Sequence, residues 1–144
     1  MTVLTTETVR RERNPHLKAL NSYTMASATT IYAGALVCVN GSGLAVNAAD
    51  TSGLIFVGVA QKTVVNPSGG TEKIEVGSGH TERLAGAAAA FDATAAMKTV
   101  CCVSDNDTVD AVGTTTNDVE VGLIEEYEAT DKVWVRIGRG GVNA

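Results

Sequence analysis

A weak internal repeat is the feature that most constrains the fold of this 144-residue chain. The segment that begins at Cys38 reappears 64 residues later at Cys102, and the two copies align without a gap. Both copies have a short apolar run, a polar turn, a second short run, a Thr-containing loop and a Val-Gly pair. Five aligned pairs are identical: Cys38 and Cys102, Val39 and Val103, Thr51 and Thr115, Val57 and Val121, and Gly58 and Gly122. Short apolar runs separated by turns are typical of β-hairpins, so the repeat predicts a fold of two similar hairpin units.

The apolar runs have the composition of β-strands. Residues 32–39 and 54–65 are rich in Val and other apolar side chains, which favours buried strands over helices. Asn40-Gly41 follows the first run and is the strongest hairpin signal in the chain. Three further runs in which apolar and polar side chains alternate predict half-exposed strands: residues 72–76, 119–123 and 133–137. We therefore predict a mainly β fold, a compact antiparallel β-barrel or sandwich.

Two segments depart from the strand pattern. Residues 85–96 contain four consecutive alanines, and Asp92 is placed to cap one short helix over residues 93–97. The first thirty residues are rich in Thr and Ser, show no regular apolar period, and predict either an extended arm ordered against a partner or a loose tail. The predicted organisation is an N-terminal arm over residues 1–30 and a single β-rich domain over residues 31–144.

Charge is distributed unevenly along the chain. The net charge is −5, yet residues 1–20 carry four basic and two acidic side chains. An acidic body argues against nucleic-acid binding, and the apolar runs are too short for a membrane-spanning helix. A basic arm on an acidic body predicts docking on an acidic neighbour, which could be another copy of the same chain. The basic side chains of this region and His16 are candidate partner-binding residues: Arg10, Arg11, Arg13, His16 and Lys18.

Trp134, the single tryptophan, is a further candidate partner-binding residue. Its side chain is predicted to point away from the apolar row of the last strand, so it either fills a second core layer or packs between subunits. Three cysteines, two of them adjacent, do not suit a disulfide framework and predict small buried strand residues: Cys38, Cys101 and Cys102. The N-terminus lacks the apolar core of a signal peptide, which predicts synthesis in the cytoplasm.

Catalytic and metal-binding motifs are weak in this sequence. Ser78 and His80 lie close together but lack the G-x-S-x-G elbow, so we interpret residues 77–80 as a flexible turn. His16 and His80 do not share metal-ligand spacing with each other or with the cysteines. The turn at residues 105–110 is acidic but lacks the ligand spacing of a calcium loop. Since phosphate-binding glycine motifs are also missing, we predict no catalytic residue, cofactor or metal.

The order of the turns and Val-Gly motifs resembles the head decoration, or cement, proteins of tailed bacteriophages. The resemblance covers about residues 30 to 140 and rests on these segments: residues 32–37, 40–43, 48–51, 56–60, 100–107, 121–124 and 134–138. It implies a small β-rich protein that sits on the outside of the expanded capsid, in the virion. It also implies that the protein trimerises and clamps neighbouring copies of the major capsid protein, with the N-terminal arm helping to bind.

Two other functions stay open at this point. One is a different phage structural module, such as a tail or fibre component built from similar β units. The other is a small hydrolase or carbohydrate-binding domain, although aromatic residues make up only 4% of the chain and the spacing of a catalytic triad is missing.

Overall fold

The computed structural model describes residues 3–87, 90–93 and 99–138. These residues form thirteen strands and one 3-10 helix of three residues, so the predicted mainly β fold is confirmed. The strands are β1 (Glu12–Arg13), β2 (Ala19–Thr24), β3 (Thr29–Ile31), β4 (Leu36–Val39), β5 (Ala45–Asn47), β6 (Ile55–Ala60), β7 (Val64–Asn66), β8 (Lys73–Ser78), β9 (Thr81–Gly86), β10 (Val100–Val103), β11 (Thr108–Ala111), β12 (Glu120–Ala129) and β13 (Lys132–Ile137), and the helix is η1 (Pro15–Leu17). No helix in the described ranges is long and apolar enough to cross a membrane.

The C-terminal half forms a closed five-stranded barrel. Its strands follow the order β9-β11-β10-β12-β13, and β13 pairs with β9 to close the ring. All pairs are antiparallel except β9 with β11, which is parallel. Closure removes both free sheet edges, which is how small β proteins avoid unwanted strand pairing.

The N-terminal half repeats this topology. Its sheet has the order β2-β8-β6-β4-β5, all antiparallel. The two outer strands approach each other through a parallel bridge between Met25 and Ala45. The parallel closure of the second barrel joins Gly86 and Val109, and Val109 lies 64 residues after Ala45. The molecule therefore consists of two barrels with the same strand order, and the first barrel is closed by a single bridge.

The repeat found in the sequence is reproduced at the level of strand register. Val37 lies opposite Gly58 and Cys38 lies opposite Phe56, so β6 carries a bulge at this point. The same irregularity occurs 64 residues later, where Cys101 faces Gly122 and the next residue faces Glu120. A bulge in the same place is a specific feature of a strand pair, so the predicted pair of hairpin units is confirmed.

Apolar packing joins the two barrels. One buried cluster fills the first barrel and comprises Met25, Ile31, Ala35, Val37, Ala45, Ala60, Ile74 and Val76. A larger cluster combines the interior of the second barrel with side chains of the first barrel such as Leu36, Phe56 and Val59. All three cysteines are buried with 0% exposure and free, as predicted. The shared cluster makes the two barrels one folding unit.

Three predicted elements differ from those observed. Residues 32–35 form a turn closed by Ala35 N and the Tyr32 carbonyl, because Gly34 adopts a positive φ of 89°. The run at 54–65 is divided into β6 and β7. Residues 85 and 86 continue β9, since they pair with β11 and β13, and do not begin a helix. Apart from Ala93, the predicted short helix at 93–97 lies outside the described residues.

Candidate functional site

The N-terminal segment lies against both barrels. Thr8 N donates to the Ala33 carbonyl at 3.0 Å, and Leu4 N donates to Asn106 Oδ1 at 2.9 Å. Glu12 and Arg13 then add a short strand to β9. Residues 3–18, which we call the arm, are extended apart from η1 and are ordered against the protein's own body, whereas residues 19–30 of the predicted arm supply β2 and most of β3.

Arg10 connects the arm to both barrels. Its Nε donates to the Gly34 carbonyl of the first barrel at 2.7 Å. Its NH2 group donates to Asp107 Oδ1 of the second barrel at 3.0 Å, and its side chain is only 7% exposed. A guanidinium held by several oxygens in a fixed geometry is a structural anchor.

Arg13 and Trp134 form a second contact between the arm and the body. The Arg13 guanidinium lies 3.7 Å from the centre of the indole ring, and its NH1 group contacts Glu126 at 2.6 Å. Trp134 is 6% exposed and its Nε1 donates to Glu128 at 3.2 Å. Trp134 is thus buried, but on the outer side of the second barrel beneath the arm, where cation–π attraction adds to the packing.

A cluster of charged side chains lies where the arm meets the two barrels. Glu12 of β1 pairs with Glu82 of β9, so their side chains share one side of the sheet, and His80 lies on that side two residues earlier. His80 Nε2 is 2.6 Å from Glu82 Oε1 and 3.8 Å from Glu12 Oε2. Lys18 Nζ reaches Glu12 Oε2 at 2.6 Å and Gln61 Oε1 at 3.1 Å.

Nearby cations favour the ionised form of Glu12 against the effect of burial. Burial acts to raise the pKa of Glu12, but the hydrogen bond and charge of Lys18, together with His80, outweigh it and hold that pKa below its usual value. His80 and Glu82 are 0% and 1% exposed. Two of their atoms, His80 Nδ1 and Glu82 Oε2, have no hydrogen-bond partner among the described residues.

A cavity of about 200 Å³ lies beside the cluster. It is lined by Arg10 and Glu12 of the arm, by Gln61 of the first barrel and by Glu82 of the second, among other residues. The three residues Glu12, His80 and Glu82 offer ligand atoms within 4.8 Å of one another. Imidazole nitrogen with two carboxylate oxygens is a donor set that divalent transition metals accept.

The structure brings together four of the six residues predicted to bind a partner. These four make contacts within the protein itself, in which Arg10, Arg13 and Lys18 of the arm bind the body and Trp134 of the body lies under Arg13. Arg11 and His16 are exposed, and the described contact of Arg11 is its carbonyl, which accepts from Arg83 N.

Sequence reasoning missed the cluster and misjudged its histidine. Gly77 and Ser78 belong to β8, and the following turn is held by hydrogen bonds with Ile137 on both sides, so it is not a flexible loop. The alternation His80-x-Glu82 was a visible signal that two polar side chains share a strand face. Glu12 carried no such signal, because its position depends on pairing with a strand some seventy residues away.

A second groove lies between equivalent loops of the two barrels. Its volume is about 320 Å³, and it is lined by residues 51–56 of the first barrel and residues 117–120 of the second. Asp50 beside it accepts backbone hydrogen bonds from Thr116 and Asn117 at 2.8 Å, which lower its carboxyl pKa below the usual value. These bonds tie the two barrels together at the surface.

Comparison with known proteins finds no matching family model and no significant match among curated proteins.

Proposed function

We propose that this protein is a capsid decoration protein, which binds the outside of an expanded phage head and cements neighbouring copies of the major capsid protein. The order of motifs between residues 30 and 140 supports this proposal, as does a body of two joined barrels preceded by a long arm. The proposal places the protein in the virion and does not include catalysis. His80, the histidine nearest to a nucleophile in the sequence, is fully buried against Glu82, which gives a hydrolase little support.

The observation that carries the proposal is a set of exposed apolar side chains on and next to the arm. Val9 is 99% exposed, Leu20 of β2 is 54% exposed, and Val3 and Leu17 are 55% and 43% exposed. Arg10, Arg13 and Lys18 of the arm are held by the body, whereas Arg11 and His16 are exposed together with these apolar side chains. Exposed apolar residues on an extended segment are typical of protein-binding surfaces.

The proposed mechanism is stabilisation by selective binding. A protein that binds the assembled shell and not the free subunits stabilises the shell by mass action. We further propose that the protein acts as a trimer, since three linked copies strengthen individually weak contacts through their high effective concentration. A mass measurement in solution and on the particle tests this oligomeric state.

Co-sedimentation with undecorated expanded capsids tests the proposal directly. We expect the full chain to bind, and we expect Val9→Asp and Leu20→Asp to reduce the bound fraction at least about tenfold, as the loss of central contacts does at other interfaces. Val112→Asp is a matched control, because Val112 is also exposed, at 48%, but lies in the loop between β11 and β12 and belongs neither to the arm nor to β2. A full chain that does not bind such capsids overturns the proposal, and antibody labelling of tails or fibres on intact particles would favour the tail or fibre function.

A further inference from the structure

The charged cluster under the arm contains two glutamates, Glu12 and Glu82, but only one lysine, Lys18. Glu12 and Glu82 are directly opposite in the strand pair, and like charges in that position destabilise a sheet unless a cation lies between them. Lys18 balances one carboxylate. The other belongs to Glu82, which is 1% exposed; its Oε1 is hydrogen-bonded to His80 Nε2 at 2.6 Å, and its Oε2 has no partner among the described residues. A buried carboxylate that is only partly hydrogen-bonded is costly, so this place favours a further cation.

We propose that Glu12, His80 and Glu82 bind one divalent transition-metal ion, for which Zn²⁺ is the probe, and that this ion fastens the arm to the second barrel. The site is independent of the proposed capsid function. It draws one ligand from the arm, one from β9 and one from His80 immediately before β9, so metal binding and arm docking are coupled.

The distances between the ligand atoms suit a small ion after a minor adjustment. Ligands about 2.1 Å from a tetrahedral ion lie about 3.4 Å from one another. His80 Nε2 and Glu12 Oε2 are 3.8 Å apart, close to that value. His80 Nε2 and Glu82 Oε1, at 2.6 Å, must separate by less than about 1 Å. The adjoining cavity of about 200 Å³ has room for a water molecule as the fourth ligand.

The neighbouring charges are compatible with this ion. Lys18 contacts both Glu12 and Gln61, so its ammonium group retains the Gln61 oxygen when Glu12 turns towards the metal. The imidazole must bind through an unprotonated Nε2, so the single proton of the neutral ring then lies on Nδ1, and an imidazolium would first release one proton to solvent. Imidazole as a ligand favours Zn²⁺, Co²⁺ or Ni²⁺ over Ca²⁺ and Mg²⁺, which prefer oxygen.

Titration of the full chain with ZnCl₂, followed by calorimetry, tests the site. We expect one equivalent of Zn²⁺ to bind, and Co²⁺ to give the visible absorption of a tetrahedral site. Glu12→Gln and His80→Gln should each weaken binding at least about tenfold, because loss even of a group that supports a ligand costs 10- to 100-fold. His16→Gln is the matched control, since His16 is the other histidine and is exposed, and it should bind as the unchanged protein does.

Trypsin digestion supplies a readout that follows the arm. The arm contains cleavage sites at Arg10, Arg11 and Arg13, and Zn²⁺ should slow cleavage there at least threefold in the unchanged protein but not in Glu12→Gln. Glu12 is partly exposed, so this variant retains a folded body even if His80→Gln does not. Stoichiometric binding that His80→Gln retains would assign the ion to other groups, such as the cysteines, and would overturn the proposal. Arm protection that depends on pH and not on Zn²⁺ would also overturn it, because the missing cation would then be a proton.

Discussion

Replacing Gly122 with alanine should destabilise the second barrel strongly. Gly122 lies on β12 at the bulge, directly against β13. A Cβ atom at this position would overlap the carbonyl oxygen of Arg136, and it would lie 3.1 Å from the carbonyl carbon of Arg136 and 3.2 Å from Gly138 N. All three contacts are with backbone atoms, so no side-chain rotation relieves them.

The size of the effect follows from what must move. Forcing extra atoms into a packed region costs about 1–3 kcal/mol or more. Displacing β13 also strains the hydrogen bond from Gly138 N to the Val121 carbonyl, now 2.8 Å, and each lost bond of this kind costs about 1 kcal/mol. We therefore expect a loss of about 3–4 kcal/mol from the free energy of unfolding. In a chain of this size, that loss lowers the melting temperature by about 10 °C.

Gly58→Ala repeats the experiment in the first barrel. Gly58 is the equivalent residue, its φ is 148°, and an added Cβ would lie 2.7 Å from the Gly77 carbonyl oxygen. The combination of backbone strain and overlap should cost about 2–4 kcal/mol. Because one apolar cluster joins the barrels, each variant should still unfold in a single transition.

Urea unfolding and thermal melting, both followed by circular dichroism, measure these effects. Gly41→Ala is the control, since Gly41 lies in a hairpin turn with no heavy atom within 4 Å of an added Cβ. It should stay within about 0.5 kcal/mol of the unchanged protein. A Gly122→Ala protein that melts within about 2 °C of Gly41→Ala would refute the close approach of β12 and β13.

Three further results are expected. Arg13→Ala should uncover Trp134 and shift its fluorescence emission to longer wavelength, and an unchanged spectrum would contradict the stacked arm. Burial opposes ionisation of Glu12, but Lys18 outweighs burial and lowers the pKa of this carboxyl. The contribution of the carboxylate to arm docking is therefore complete above about pH 4.5 and is lost as the pH falls through the lower folded-state pKa. Hydrogen exchange of the β1 amides should become faster in acid, and this acceleration should be absent in Glu12→Gln. Burial raises the pKa of Cys38 and Cys102 to about 12, so iodoacetamide at pH 8 should modify the native protein by less than one equivalent and the unfolded protein by three; rapid native labelling would contradict that burial.

Much of the strand pattern was predictable because it is local. Alternation at 133–137 identified β13 with Val133, Val135 and Ile137 buried, since side chains of a strand alternate between its faces whatever the strand pairs with. Asn40-Gly41 likewise marked a turn, in which the Asn40 side chain accepts from Ser42 N and Leu44 N. The 64-residue repeat indicated two related units for the same reason, because each central hairpin is built from neighbouring residues.

The remaining strands of each barrel could not be derived in this way. Closure of the first barrel depends on a bridge from Met25 to Ala45 and closure of the second on Gly86 with Val109, and these pairs share no recognisable residues. Their pairing is decided by which edges meet once the hairpins have packed. A repeat in structure therefore extends further than the repeat in sequence.

The amino-acid sequence by itself determined the β class, the paired hairpins and the buried cysteines, because composition and short-range periodicity act within a few residues. Only the tertiary structure decided where the arm lies. The pairing of Glu12 with Glu82, and the stacking of Arg13 on Trp134, join residues far apart in the chain. Such contacts depend on strand register, and a shift of one residue would turn each of these side chains to the opposite face.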